Sequence, residues 1–478
     1  MKKRILFVAS ESLPFVKSGG LADVIGALTK ELCKNGVDIR VVLPLYAAVS
    51  AQYFADCEFE GSYPINYGNI NTVANVYRYD EAGVIFYFIQ HQAYFERPGL
   101  YGYSDDGERF AFFQRAVLDL LQHCDFKPQI IHCHDWHSGL IPFLGKTQYP
   151  VKYQRIKYVF TIHNLAYQGI FPMELLGSCL GVNPHPYYQQ LEFDDSLNFM
   201  KAGIVFADKV STVSPSYARE ILTEDFGERL EALLNYRKDD LWGILNGIDE
   251  DLWNPATDSF LKHNYSISDY RVGKSTNKKA LQEKLGLRVN AEVMLLAMVS
   301  RLTWQKGVYL MIDKLQKIMA NDVQLVILGN GESYPESQFK KMEHDYRRRA
   351  VYYCGYNEEL AHLIYAGADL FLMPSLFEPC GISQQIAMRY GTLPLVRETG
   401  GLKDTVKPYN AYTKEGCGFS FANYNSDEFM YLLNMAIDVY YQQNDDYQLM
   451  IQNAMREDFS WDNSTKLYLQ LYDLLLDK

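Results

Sequence analysis

Short apolar runs alternate along most of the chain with segments in which apolar residues recur every three or four positions. The first pattern predicts β-strands and the second predicts amphipathic helices. Because the strand segments are apolar at nearly every position, we expect parallel strands that are buried on both faces. In the first half, the predicted strands are 3–10, 37–46, 128–135, 157–164, 208–215 and 242–247. In the second half, they are 292–301, 323–331, 350–356, 368–375, 391–398 and 416–421.

The alternation continues on both sides of a polar, irregular stretch over 256–287, which predicts a domain connection followed by the first helix of a new domain. We therefore predict two α/β domains, an N-terminal one over 1–255 and a C-terminal one over 256–455. Segment 456–478 predicts an amphipathic helix that packs within the second domain or crosses back to the first. An antiparallel insertion is predicted near 57–90. Two Rossmann-like, doubly wound domains in series would place a ligand in a deep cleft between the C-terminal ends of their strands.

Composition and charge exclude several classes of protein. The net charge of −12 argues against a nucleic-acid partner or an anionic membrane surface, since either favours a basic face. The eight cysteines are scattered without a CxxC pair, which is typical of reduced core thiols. The N-terminal apolar run is too short for a signal peptide, and no run approaches the roughly 18–20 residues of a membrane span. We therefore expect a soluble, cytoplasmic protein.

A cation and two glycines lie at a predicted strand-to-helix turn in FVKSGGLADVIGAL. Glycines let backbone N–H groups approach an anion, and the helix N-terminus adds its dipole. Lys17, Gly19 and Gly20 therefore form a candidate phosphate site. A tight turn with a solvated lysine is the alternative interpretation.

The second half carries cations and a carboxylate at the ends of predicted strands. Arg301 and Lys306 in SRLTWQKG suit a diphosphate, although a solvated basic loop is the alternative. In FEPCGISQ, Gly381 relaxes the loop, and Ser383 is expected to cap a helix whose first N–H groups form a second anion site. A carboxylate beside an anion site favours a neutral ligand for Glu378, such as sugar hydroxyl groups.

Two candidate metal sites compete with ordinary polar loops. The first is a cluster in HCHDWHSGL, made of His132, His134, Asp135 and His137. Its spacing matches no zinc motif, so a hydrogen-bonded loop at a strand end is preferred. His163, in TIHNLAYQGIF, repeats the arrangement and suggests a loop that faces a sugar. The second is the DxD pair Asp249 and Asp251, for which surface aspartates are preferred over chelation.

Seven motifs in combination resemble the bacterial glycogen synthase and plant starch synthase family nearly from end to end. They are KSGGLADV, HDWHSGL, TIHNLAYQGIF, NGID, SRLTWQKG, FEPCGISQ and ETGGLKDTV. The resemblance implies a retaining glucosyltransferase of the two-domain GT-B architecture, which extends an α-1,4-glucan from ADP-glucose. The implied partners are thus ADP-glucose and glycogen or malto-oligosaccharide. Because cations already neutralise the diphosphate, no metal or other cofactor is expected.

The resemblance also implies a role for each matching residue. Arg301 and Lys306 would hold the diphosphate, and Glu378 would contact the transferred glucose. Lys17 would reach the diphosphate or the glucose, and Tyr356 would stack on adenine. The catalytic set is Glu378, Arg301, Lys306, His163 and Asp135. The residues implied to bind the donor around them are Gly19, Gly20, Asp23, Asn246, Cys380, Gly381 and Ile382.

The chain departs from family patterns at two informative positions. Ser18 stands where the family usually has threonine, a small change because the backbone and Lys17 should do most of the binding. Ile386 stands where the related sucrose- and trehalose-making enzymes have a second glutamate, which favours the synthase family. The segment QIAMRYG also differs from the commoner family sequence.

No second carboxylate stands out as a covalent nucleophile. The resemblance to the family implies front-face attack, in which the leaving phosphate accepts the acceptor's proton. A phosphorylase is disfavoured, because that family is much longer and needs a lysine-bound pyridoxal cofactor. Two alternatives stay open: a catalytically silent glucan-binding protein of the same fold, and a transferase that uses UDP-glucose. The sequence makes no prediction of the oligomeric state.

Overall fold

The computed structural model describes residues 2–149, 153 and 155–477, which form two units. Unit 1 extends to Asn246 and also contains the chain from Trp461 onward, whereas unit 2 is Gly247–Ser460. Unit 2 is therefore inserted into unit 1, before its terminal helix. The pattern-based limit after residue 255 lies a short way inside unit 2.

Unit 1 is built on a mixed sheet. The strands of the unit are β1 Arg4–Val8, β2 Asp38–Pro44, β3 Glu58–Tyr67, β4 Ile70–Glu81, β5 Val84–Gln90, β6 Ile130–His134, β7 Lys157–Ile162, β8 Ile170–Pro172, β9 Glu192–Phe193, β10 Ser196–Asn198, β11 Lys209–Thr212 and β12 Leu241–Gly243. Nine of them form one sheet in the order β12-β11-β7-β6-β1-β2-β5-β4-β3, and β8, β10 and β9 form a small separate sheet. Neighbours from β12 to β5 are parallel.

The insertion near 57–90 contributes two kinds of strand. β3 and β4 pair antiparallel and occupy one edge of the sheet. β5 pairs antiparallel with β4 on one side but parallel with β2 on the other. The reason is its composition: VIFYFIQ is apolar at nearly every position and is mostly buried, as a strand inside a sheet requires.

Helices complete the core of unit 1. Their bounds are Gly20–Lys34, Ala47–Tyr53, Gln92–Phe95, Asp106–His123, Ile141–Thr147, Leu175–Ser178, Tyr188–Leu191, Phe199–Phe206, Pro215–Glu220, Glu231–Tyr236 and Trp461–Leu476. The terminal helix belongs to this core, since Trp461, Tyr468 and Tyr472 are buried in it. Its Tyr472 hydroxyl group lies 2.8 Å from Nδ1 of His132 in β6.

Unit 2 has a parallel sheet of six strands in its described residues. They are β13 Met294–Val299, β14 Val323–Gly329, β15 Ala350–Cys354, β16 Leu370–Met373, β17 Leu393–Arg397 and β18 Phe419–Phe421. Their spatial order is β15-β14-β13-β16-β17-β18. Each central strand is buried on both faces, because runs such as MLLAMV carry no polar side chain.

The helices of unit 2 alternate with these strands. Their bounds are Tyr270–Lys284, Val308–Ala320, Ser333–Asp345, Glu358–Gly367, Ser383–Arg389, Gly400–Thr405, Ser426–Gln442 and Asn444–Arg456. The predicted doubly wound α/β fold is confirmed in both units. Within the described ranges, no helix is both long enough and apolar enough to cross a membrane.

In each unit, the strand order reverses next to the first strand of the sheet. In unit 1 the chain builds β2 and β5 on one side of β1, and β6, β7, β11 and β12 on the other. In unit 2 it builds β14 and β15 on one side of β13, and β16, β17 and β18 on the other. Ligands bind such sheets at the C-terminal strand ends beside the reversal. The segments after β1, β6, β13 and β16 are therefore the places to look for a site.

Candidate active site

The segments after β13 and β16 are joined by an ion pair. Lys306, in the 3₁₀ turn Trp304–Lys306, places its Nζ atom 2.9 Å from Oε1 and 2.7 Å from Oε2 of Glu378. The hydroxyl group of Ser375 donates a further hydrogen bond to Oε2, at 3.1 Å. Glu378 is only 5% exposed, and a buried carboxylate is costly unless it is paired. Two of the predicted catalytic residues therefore lie together at the strand reversal of unit 2.

The backbone that carries Glu378 is held by a buried arginine. Arg397, at the end of β17, donates from Nε to the carbonyl oxygen of Ser375 at 2.9 Å. Its guanidinium group also donates to the carbonyl oxygens of Leu376 and Ala422. Two of these bonds, to Ser375 and Leu376, fix the path of the loop just before Glu378, and the third ties that loop to the backbone at Ala422.

The glycine pair in ETGGLKD lets a second backbone segment approach the Glu378 loop. Gly400 has a φ of +45°, and a Cβ atom there would lie 2.0 Å from the carbonyl oxygen of Glu378. A Cβ atom on Gly401 would lie 2.1 Å from the carbonyl oxygen of Cys380. The N–H group of Gly401 donates to the Glu378 carbonyl oxygen at 3.2 Å. Only glycine permits this contact between the two segments.

The other predicted residues of unit 2 differ in exposure. Arg301 is exposed on the loop after β13, ahead of Lys306. Tyr356, just after β15, is 60% exposed, which leaves a large aromatic surface at the C-terminal end of this strand in contact with solvent. Cys380 is buried, whereas Gly381 and Ile382 are partly exposed.

The expected cap of the helix after Glu378 is wrong. Helix Ser383–Arg389 begins one residue earlier than a Ser383 cap requires, and its N-cap residue is Ile382, whose side chain accepts no hydrogen bond. Gln384 supplies the local polar contact instead, because its Nε2 atom donates to the carbonyl oxygen of Gly381 at 2.9 Å. Gly381 has a φ of +73°, which a side chain rarely adopts.

In unit 1, the lysine of the glycine-rich turn is paired. Lys17 places its Nζ atom 2.7 Å from Oδ1 of Asp23. Asp23 lies in the first turn of helix Gly20–Lys34, where a negative charge is favourable. Two predicted donor-site residues are thus in direct contact, at the strand reversal of this unit.

A carboxylate unassigned by the sequence lies beneath this turn. Glu11 follows β1 and is 4% exposed. It accepts hydrogen bonds from the N–H group of Ser18, from the Ser18 hydroxyl group at 3.0 Å and from the N–H group of Gly19 at 3.3 Å. Burial raises the pKa of Glu11 above its ordinary value, and these hydrogen bonds oppose that shift. The Gly19 N–H group already has a partner within the protein.

Asp135 and His163 meet at the C-terminal ends of β6 and β7. Oδ1 of Asp135 accepts from the N–H group of His163 at 2.7 Å and more distantly from that of Asn164 at 3.4 Å. Asp135 has a φ of +57°, an uncommon conformation that this contact helps to hold. Burial raises the pKa of Asp135 to about 7, and the negative charge of Glu11 acts in the same direction.

The histidines around Asp135 form hydrogen-bonded contacts in the core. His163 Nε2 lies 3.0 Å from His134 Nδ1, and His132 Nε2 lies 2.6 Å from the hydroxyl group of Thr161. Burial lowers the pKa of His163 to about 3, so its imidazole is neutral near pH 7. Among the described residues, no group of three or more His, Cys, Asp or Glu side chains is arranged to hold a metal ion.

The remaining predicted residues lie in the stretch of sequence where the first part of unit 1 ends and unit 2 begins. Asn246 is the last residue of the first part of unit 1, and it is buried. In the DxD pair, Oδ1 of Asp249 accepts from the N–H groups of Asp251 at 3.0 Å and Leu252 at 3.3 Å. This arrangement is a local turn, which explains the spacing of the two aspartates without a metal.

Sequence reasoning missed the residues that hold the predicted ones in place. Glu11 and Ser375 contact the site residues Gly19 and Glu378, and Arg397 contacts the backbone of the loop before Glu378. A glutamate just after a strand, followed by a glycine turn, was the available signal for Glu11. Arg397 reads as the polar end of a strand, and its contacts are more than 20 residues away in sequence.

Family models match both halves of the chain. A model described as the starch synthase catalytic domain matches residues 4–236, and one described as glycosyl transferases group 1 matches residues 277–456. The glycogen synthase of Clostridium botulinum strain Alaska E43 is 47% identical over 473 residues, which cover 98% of each chain. That of Geobacillus thermodenitrificans is 48% identical over 478 residues, which cover 99% of this chain and 98% of the relative.

A solved structure is similar over the whole chain. The catalytic domain of starch synthase IV from Arabidopsis thaliana, bound to ADP and acarbose, aligns with a TM-score of 0.91 at 34% identity and covers 100% of both chains. The sucrose-phosphate synthase of Thermosynechococcus elongatus aligns with a TM-score of 0.62 at 16% identity, again over 100% of both chains. The second likeness is one of fold alone.

Proposed function

This chain belongs to the glycogen synthase family of GT-B glycosyltransferases, and we propose that it transfers glucose from ADP-glucose to the non-reducing end of an α-1,4-glucan. The configuration at C1 is retained and ADP is released. The observation that carries the proposal is the contact between Lys306 and Glu378 at the strand reversal of unit 2. It combines a cation for a diphosphate with a carboxylate for sugar hydroxyl groups.

The leaving group needs most of the stabilisation. When the bond between glucose C1 and the phosphate oxygen breaks, negative charge develops on the diphosphate and positive charge on the sugar. Lys306 and Arg301 neutralise the diphosphate, Lys306 as a point charge and Arg301 through its planar, forked donors. Two protein cations make a metal or other cofactor unnecessary for this step.

Glu378 binds and orients the glucose rather than attacking it. Its Oε2 atom accepts a hydrogen bond from the Ser375 hydroxyl group, which does not depend on the position of Lys306 and reduces the nucleophilicity of that oxygen. The acceptor hydroxyl group therefore attacks C1 on the same face from which the phosphate leaves. Its proton passes to the departing phosphate oxygen, so the new glycosidic bond forms with retained configuration.

Residues of unit 1 contribute further contacts with the donor in this proposal. Lys17 meets the diphosphate or the glucose, near Gly19, Gly20 and Asp23. Asn246 and His163 bind glucose hydroxyl groups, and Asp135 holds His163 in place. Because the His163 imidazole is neutral, it acts through hydrogen bonds and not as a cation.

The proposal also includes adenine as the base of the donor nucleotide and the cytoplasm as the compartment of the protein. Tyr356, with 60% of its surface exposed, stacks on adenine, and the backbone of Cys380, Gly381 and Ile382 lines the sugar site. All eight cysteines are free thiols, as a reducing cytoplasm favours.

The test is glucose transfer to glycogen from ADP-glucose and UDP-glucose, side by side and without added metal. We expect turnover with ADP-glucose and a loss of about 10²–10³ in kcat for Lys306→Ala. Lys407→Ala, which removes a largely exposed lysine of the same unit, is the matched control and should behave like the wild type. Preference for UDP-glucose would overturn the donor assignment. Glycogen binding without turnover from either donor would indicate a silent glucan-binding protein.

A further inference from the structure

We propose that Glu11 is a positioning residue of the donor site, which holds the turn Lys17–Gly19 in the conformation that presents Lys17 to the donor. This inference rests on the proposed function, because it assigns Lys17 to the donor. Glu11 is buried, and its three hydrogen bonds all go to two consecutive residues, Ser18 and Gly19. It touches no substrate group in this proposal and acts through the loop alone.

The contacts of Glu11 resemble those that a bound anion would make. Oε2 accepts from two successive backbone N–H groups, those of Ser18 and Gly19, and Oε1 accepts from the Ser18 hydroxyl group. Successive backbone N–H groups before a helix are the usual donors to a phosphate. Here an internal carboxylate already occupies them. The part of the turn left for a ligand is the Lys17 side chain and the backbone from Gly20 onward.

The charges around the turn support a positioning role. Asp23 pairs with Lys17 and lies within the electrostatic reach of Glu11, as does Asp135 from the end of β6. Burial raises the pKa values of Tyr46 and Tyr101, and the nearby charge of Glu11 acts in the same direction. With Glu11, Asp23 and Asp135 near one lysine, the fixed charges do not themselves create a second phosphate site. A fixed loop geometry is what the carboxylate adds.

Ser18 gives the arrangement a local anchor. Its hydroxyl group donates to Glu11 at 3.0 Å, and a threonine there would offer the same donor. The next residue, Gly19, has an extended backbone and is the N-cap of helix Gly20–Lys34. Glu11 therefore couples the end of β1 to the start of this helix, with Lys17 between them.

The experiment compares Glu11→Gln, Glu11→Ala and Ser18→Ala with the wild type in three measurements. The first is kcat and KM for ADP-glucose with glycogen as acceptor. The second is the Kd for ADP by calorimetry, which reports the diphosphate site of unit 2. The third is the rate of tryptic cleavage after Lys17, which reports the order of the turn independently of activity. Glu31→Gln, at the other end of the same helix, is the matched control and should leave all three unchanged.

We expect Glu11→Ala to lower kcat about 10²-fold, since misplacing a binding group by about 1 Å costs that much. Glu11→Gln, which keeps an acceptor oxygen, should recover part of the loss, and Ser18→Ala should show a smaller one. Cleavage after Lys17 should accelerate markedly in Glu11→Ala, while cleavage at other tryptic sites stays unchanged. The Kd for ADP should stay unchanged if Lys17 meets the glucose and should rise if Lys17 meets the diphosphate.

Three results would overturn the inference. One is wild-type kcat and cleavage in Glu11→Ala. Another is tighter ADP binding in that variant, since it would mean that the freed N–H groups form a phosphate site. The third is loss of kcat with unchanged cleavage, which would mean that Glu11 acts on the substrate directly. If Glu11→Ala does not fold, the isosteric Glu11→Gln carries the same three measurements. If the proposed function itself is wrong, the wild-type protein will be inactive with both donors. Accelerated cleavage in Glu11→Ala would then still show that Glu11 orders the turn.

Discussion

The ammonium group of Lys306 lies 2.7 and 2.9 Å from the two carboxylate oxygens of Glu378. In the absence of donor, each residue therefore satisfies the charge of the other. In the proposed mechanism, the diphosphate of the donor competes with Glu378 for this lysine, and the sugar competes for the carboxylate. The pair keeps both groups ordered before the substrate arrives, which lowers the cost of organising the site.

Lys306→Ala should lower stability as well as activity. It leaves the buried Glu378 carboxylate without its cationic partner and with the hydrogen bond from the Ser375 hydroxyl group, a change that costs up to about 3–5 kcal/mol. The double variant Lys306→Ala/Glu378→Gln removes that charge, so its stability should recover while activity stays low. Thermal unfolding and kcat measured on the three proteins check this expectation. Equal destabilisation of single and double variants would contradict it.

Two glycine substitutions should distinguish an effect on stability from an effect on ligand binding. Gly400→Ala forces a Cβ atom to within 2.0 Å of the Glu378 carbonyl oxygen at a φ of +45°, so both stability and kcat should fall. Gly19→Ala meets no atom within 4 Å and has an extended backbone, so the protein should fold with nearly native stability. An activity loss in Gly19→Ala alone would then report the approach of a ligand. Thermal unfolding with kcat distinguishes the two cases.

Asp135→Asn should be more stable than the wild type at high pH, and this difference in stability should grow as the pH rises. A pKa raised from 3.8 to about 7 means that the folded protein binds this proton more tightly than the unfolded chain does. The resulting stabilisation is present below about pH 4 and is lost as the pH rises through 7. The variant, which keeps an oxygen for the His163 N–H group, should unfold at a temperature higher by about 2–5 °C at pH 8. At pH 4 the difference should vanish, and an advantage that persists there would contradict the prediction.

Tyr356→Ala should weaken donor binding without loss of stability. The ring is 60% exposed, so its removal leaves no cavity. A stacking contact with a base is worth about 1–3 kcal/mol, which predicts a rise of roughly 5- to 100-fold in KM for ADP-glucose with kcat nearly unchanged. Tyr412→Ala, at a residue that is 97% exposed in the same unit, is the control. An unchanged KM would remove Tyr356 from the adenine site.

The strands were predictable because each is a nearly continuous apolar run. β13 and β16 read directly from MLLAMV and LFLM, and their flanking polar residues marked the site. The parallel pairing of β5 with β2 was not predictable from the sequence pattern. β5 follows β4 closely and pairs antiparallel with it, but its other edge pairs with β2, which is distant in sequence. Local pattern therefore identified the elements but not all of their pairings.

The supporting contacts of the site were beyond local pattern for another reason. Arg397 contacts the Glu378 loop through carbonyl groups, which carry no sequence signature. The expected Ser383 cap was wrong because the turn at Gly381 brings Ile382 to the N-cap position. In both cases the contact depends on the backbone geometry of the folded protein, which the local sequence pattern does not show.

The position of helix Trp461–Leu476 has a consequence for how the protein is made. Its buried face completes the core of unit 1, with Tyr472 against His132, yet the ribosome synthesises it only after the whole of unit 2. Unit 2 is continuous in sequence and can finish folding during translation. Unit 1 cannot complete its core until the terminal helix has been synthesised. Early termination of translation anywhere before this helix would therefore leave the unit that was made first incomplete, and an available target for chaperones or proteases.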